Sequence, residues 1–62
     1  MSMYDTLPKD PVMLLSFTNT QLRDTFESLD AFCYNFQISK EDITTKLGAI
    51  DYEYNEETNQ FI

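Results

Sequence analysis

The chain has 62 residues, enough for one domain with one small core. Its hydrophobic content of 42% and aromatic content of 15% belong to a folding chain rather than a disordered one. Eleven acidic against four basic residues leave a formal net charge of −7, a field that repels phosphate backbones and anionic lipid heads and favours basic partners.

The opening "MSMYDTLPKD" reads as a short arm over residues 1–9, with Pro8 holding Leu7 extended. It has no basic start and no long apolar run, so no secretion signal is expected. The longest apolar run, Val12 to Leu15, is too short to span a bilayer. "DPVMLL" then starts a helix, with Asp10 placed to cap it and Pro11 at the first helical position. Val12, Leu15, Leu22 and Phe26 fall near one face, and Asn19 fills the gap in that stripe. Leu14 and Phe17 lie to one side, flanked by Met13. The spacing predicts a first helix from Pro11 to Asp24 or Thr25.

Ser28 caps a second helix, expected from Leu29 to Gln37, whose stripe is Leu29, Phe32, Cys33 and Phe36. "ISKEDI" starts the third. Ser39 is its cap, Asp42 completes a short-armed capping box, and Ile38 and Ile43 are spaced for a hydrophobic staple. Ile43, Leu47 and Ile50 continue the stripe, and Gly48 marks where the helix ends or bends. The hydrophobic period then shortens to that of a strand. Ile50, Tyr52 and Tyr54 point one way, and Asp51, Glu53 and Asn55 the other. "NEETN" supplies the turn, with Asn59 suited to positive φ, and Gln60 to Ile62 return.

The stretch from Leu29 to Leu47 has the rhythm of a helix-turn-helix, with Cys33 as the small residue at the crossing. It departs from that motif at Gln37, where glycine is common, and at Lys46, near a position usually apolar. With the hairpin added, the plan is a miniature winged helix. At larger scale, "LPKDPVMLLSFTNTQLRD", "SLDAFC", "ISKEDI" and "IDYEYNEETNQFI" resemble the short bacterial proteins grouped as domain of unknown function 4250. The resemblance runs from Leu7 to Ile62 and implies a free-standing bacterial protein. It brings no activity and no catalytic or ligand residue.

Catalytic chemistry has little to build on. The sequence has no histidine, and Cys33 lacks a histidine or second cysteine for a zinc set or a nucleophilic pair. It sits on an apolar stripe and reads as a buried structural thiol. A lone cysteine also fits a reducing compartment. The carboxylate pairs Glu41–Asp42, Asp51–Glu53 and Glu56–Glu57 lack an apolar pocket or a metal-loop spacing, and one glycine cannot cradle phosphate. No catalytic, cofactor-binding or metal residue is assigned, and no enzyme activity is expected.

Nucleic-acid reading through the third helix would use Lys40, Thr44, Thr45 and Lys46. Glu41 and Asp42 lie among them, and the hairpin wing carries Asp51, Glu53, Glu56 and Glu57 with no basic residue. The candidate partner-binding residues are Tyr52, Tyr54, Phe61 and Arg23. Tyr52 and Phe61 are also expected to cover the helical core, and Arg23 has a local ion pair within reach. A two-stranded sheet has two edges, and nothing in the sequence covers both.

The expected fold is mainly α (α+β): a single domain over 1–62, with an arm at 1–9, three helices over 10–50 and a C-terminal hairpin over 50–62. The expected function is a non-catalytic protein-interaction module of the cytoplasm, binding a protein partner or itself and no membrane. A winged-helix-like nucleic-acid-binding or regulatory protein is the alternative, and an acidic mimic of nucleic acid a further one.

Overall fold

The structure, a computed structural model, describes residues 7–62. It contains helix α1 (Pro11–Asp24), helix α2 (Leu29–Phe36), helix α3 (Lys40–Gly48) and a two-stranded antiparallel hairpin of β1 (Tyr54–Asn55) and β2 (Gln60–Phe61). This is the small, mainly helical domain with a C-terminal hairpin that the sequence predicts. Residues 1–6 of the expected arm lie outside the described residues. Leu7, within the expected arm and the first described residue, is 8% exposed and belongs to the core.

α1 packs on α2, α3 and β2, so it needs a broad apolar arc. The buried residues of that arc are Leu14, Thr18 and Leu22, with Leu15 and Phe17 half-buried on either flank. This corrects the stripe drawn from the sequence. Val12 lies beyond the flank and is 62% exposed. Apolar residues surround so much of α1 that periodicity could not fix which of them face inward. Thr18 carries the polar flaw of this face, because its buried hydroxyl has no hydrogen-bond partner among the described residues. Asp10 stands at the cap position, but its side chain makes no cap bond. Its carbonyl accepts from the Leu14 amide at 2.8 Å, and Pro11 sets the entry angle.

α2 buries Leu29, Phe32, Cys33 and Phe36, the stripe read from the sequence. Phe32 and Phe36 stack in a tilted pair with centroids 4.8 Å apart. Phe17 from the middle of α1 and Phe26 from its exit loop meet them edge-on. Ser28 Oγ caps the start by accepting from the Ala31 amide at 3.1 Å. The helix ends at Phe36, one residue before the expected Gln37. Gln37 turns left-handed at φ 57°; its amide donates to Tyr34 at 3.3 Å and the Ile38 amide to Cys33 at 3.0 Å. That is a Schellman motif, with buried Ile38 packing under the cap.

α3 begins as predicted. Ser39 Oγ accepts from the Asp42 amide at 3.3 Å, and Ile38 and Ile43 are both buried. Its end differs from the expected strand beginning at Ile50. The Ile50, Asp51 and Tyr52 amides donate to the carbonyls of Leu47, Gly48 and Leu47, and Asp51 turns left-handed at φ 68°. Residues 50–52 therefore finish the helix, because its last carbonyls need donors. The ladder starts with the Glu53–Ile62 pair, whose two bonds are 3.0 and 2.9 Å.

Gln37 occupies a conformation that suits glycine, on an exposed surface. Gln37→Gly is expected to raise unfolding stability by roughly 0.5–1 kcal/mol in chemical denaturation. A loss of stability would contradict the left-handed cap.

Candidate functional site

The hairpin is tied to the helices by polar side chains, and it is built from its turn outward. Asn55 Oδ1 accepts from the Glu57 and Thr58 amides at 2.8 and 3.1 Å, which closes the turn on itself. Asn59 follows with φ 55°, as its residue type suggests. Its side chain Nδ2 donates to the Leu22 and Phe26 carbonyls, both at 2.9 Å. These carbonyls belong to the end of α1 and its exit loop, so the hairpin turn serves as the cap of α1.

Tyr54 lies directly opposite Phe61, and the two rings are 5.5 Å apart on the inner face. The Tyr54 hydroxyl donates to Asn59 Oδ1 at 2.6 Å and accepts from the Leu29 amide at 3.3 Å. One hydroxyl thus joins the turn to the first amide of α2. Tyr54 is half-buried and Phe61 is 2% exposed. Tyr52, expected beside Phe61 as core cover, is instead 38% exposed, because residues 50–52 follow α3 rather than the ladder. Tyr54 takes that role.

β2 docks on α1 through an amide. Asn19 Nδ2 donates to the Phe61 carbonyl at 3.0 Å, and Asn19 Oδ1 accepts from the Phe61 amide at 2.8 Å. Gln60 Nε2 adds a bond to the Asn19 carbonyl at 3.0 Å. The side chain of Asn19 therefore does for Phe61 what a neighbouring strand would do. In the sequence Asn19 is a polar gap in an apolar stripe. That polarity was the signal, and its use depends on a residue 42 positions away.

The two sheet edges are consequently unequal. Glu53–Ile62 is a hydrogen-bonded pair, so Tyr54–Phe61 is a non-hydrogen-bonded one whose backbone groups face outward. On β2 those groups are taken by Asn19. On β1 the outward amide and carbonyl of Tyr54 look over a shallow groove. Its walls are β1 with Tyr52, Glu53 and Glu56 on one side and the Lys40–Thr44–Gly48 face of α3 on the other. A Cβ placed on Gly48 would meet nothing within 4 Å, so that wall is open. The groove continues past Leu29 to Glu27 and Asp30.

The remaining sequence candidates sit as follows. Arg23 grips Asp24 through two nitrogens at 2.8 and 2.9 Å on the exposed surface. The hydrogen bond from Arg23 holds the Asp24 carboxyl below its usual range. Arg23 borders a separate depression near Asn59, away from Tyr52. Lys40 lies 3.3 Å from Asp30. Thr44 donates its hydroxyl to the Lys40 and Glu41 carbonyls, at 2.9 and 3.1 Å. Thr45 is exposed and Lys46 half-buried in the last turn of α3. Cys33 is buried and free, and burial pushes its thiol pKa up, which disfavours the reactive thiolate. Among the described residues no three metal-ligating side chains come together.

The family described as a domain of unknown function, number 4250, matches residues 8–61 of the chain. The chain belongs to this family. The match spans α1, α2, α3 and both strands of the hairpin. No curated protein and no solved structure matches the chain.

Asn19→Ala leaves the Phe61 amide and carbonyl without partners, and is expected to cost about 2–3 kcal/mol of unfolding stability. Tyr54→Phe keeps the ring but strands Asn59 Oδ1 and the Leu29 amide, at a cost of about 1–2 kcal/mol. Denaturant titration checks both. Losses under about 0.5 kcal/mol, the range of ordinary surface changes, would show that the polar contacts do not hold the hairpin.

Proposed function

We propose that this protein is a non-catalytic protein-interaction module acting in the bacterial cytoplasm, with β1 and its flanking tyrosine as the docking side. The observation that carries the reading is the inequality of the two sheet edges. β2 is sealed by Asn19, whereas Tyr54 on β1 presents its backbone to a groove beside an exposed Tyr52. An unpaired edge beside an aromatic ring with a polar tip suits the binding of another chain.

The sequence supports the non-catalytic part of this reading. It holds no histidine, and its single cysteine is buried with its thiolate disfavoured. Of the earlier partner candidates, Tyr52 alone combines exposure with a place on the groove. Phe61 is in the core, Tyr54 offers its backbone rather than its ring, and Arg23 is tied to Asp24 elsewhere. No helix among the described residues is long and apolar enough to cross a membrane.

The nucleic-acid alternative has weaker support. Gln37 does adopt the left-handed turn that helix-turn-helix proteins give to glycine. However, Lys40 is held by Asp30, and the hairpin that would be the wing carries only carboxylates as its charged groups.

A photo-crosslinking residue at position 52, compared with one at the 89% exposed Tyr34, tests the reading in the native cell. The module is expected to give a discrete protein adduct from position 52 and none from position 34. No adduct from position 52 would contradict the assignment.

A further inference from the structure

We propose that the groove between β1 and α3 takes an extended, lysine- or arginine-bearing segment of a partner protein, which pairs with Tyr54 as a third strand of the sheet. The proposal rests on the interaction-module reading and names the partner's chemistry.

Backbone geometry supplies the first part of the case. Tyr54 sits in a non-hydrogen-bonded pair, so its amide and carbonyl point into the groove and offer one donor and one acceptor in strand register. The far wall leaves room for an added chain. Gly48 has open space where a side chain would stand, and Thr44 turns its hydroxyl proton to its own helix.

Charge supplies the second part. The groove and its continuation are lined by Glu27, Asp30, Glu53 and Glu56, four carboxylates, against Lys40 as the one cation. Lys40 is already engaged by Asp30 at 3.3 Å. The potential along the groove is therefore negative, and it adds to the −7 of the whole chain. Tyr52 gives the aliphatic stem or charged head of a basic side chain a ring to lie against.

The same charges argue against a second copy as the occupant. Pairing β1 with β1 would bring Glu53 and Glu56 of both chains together, between molecules that each carry −7. The edge is also short. One outward amide and one carbonyl give little affinity alone, so recognition depends on charge and falls as salt rises.

The test uses the whole protein and a short synthetic peptide of alternating lysine and valine, followed by amide-shift mapping in NMR. Expected are shifts centred on Tyr54 and Gly48, no shifts with the glutamate–valine counterpart, and loss of binding when the peptide's edge-facing amide is N-methylated. The exposed Glu53 and Glu56 permit a Glu53→Lys, Glu56→Lys variant, which should bind about tenfold or more weakly while keeping its circular dichroism. Equal binding of the N-methylated peptide, or shifts centred elsewhere, would overturn the third-strand assignment. So would a dimer whose formation hides the Tyr54 amide. If position 52 crosslinks a protein yet the lysine peptide moves no amide, this inference fails and the interaction reading stands. If position 52 captures nothing, the interaction reading itself fails.

Discussion

The carboxamide of Asn19 and the backbone of Phe61 form the contact on which the rest of the structure depends. In this chain the three helices share their core with the hairpin, whose Phe61 is 2% exposed. Phe61 closes it, and Phe61 is held in place by two hydrogen bonds from a side chain on α1. A two-stranded hairpin is marginal by itself, so its register relative to α1 must come from outside the sheet. Asn19 fixes that register. Asn59 and Tyr54 then spend their polar groups on the end of α1 and the start of α2. The hairpin is thus a structural part of the helical unit, joined by polar contacts around an apolar plug.

This arrangement determines what the hairpin can offer outward. Every polar side chain from Asn59 to Gln60, and the hydroxyl of Tyr54, is engaged inside the molecule. The outer edge of β1, the ring of Tyr52 and the carboxylates around them remain at the surface. Glu53 and Glu56 line that edge with negative charge, which disfavours indiscriminate pairing. The sealed edge and the open edge therefore lie on opposite sides of one small sheet.

Much of this was legible in the sequence, and the gaps have physical causes. Helix starts were readable because Ser28 and Ser39 make local bonds to amides three residues on. The turn was readable because Asn55 and Asn59 act within a few residues of themselves. The stripe of α2 was readable because its apolar residues keep to one face. α1 was misread because it touches three other elements, and its apolar residues are too widely spread for periodicity to rank Val12 against Leu14. Tyr52 was misassigned because alternation continues through residues 50–52 although those residues cap α3. The role of Asn19 was hidden, since its partner is at the other end of the chain.

Amide hydrogen exchange at two residues of the hairpin measures the central claim directly. Phe61 and Tyr54 face each other in the ladder and share the same local fold. The Phe61 amide is bonded to Asn19, whereas the Tyr54 amide points to the open groove. The account predicts that Phe61 exchanges only with unfolding of the domain, and that Tyr54 exchanges much faster under the same conditions. Equal protection of the two amides, or rapid exchange at Phe61, would contradict it.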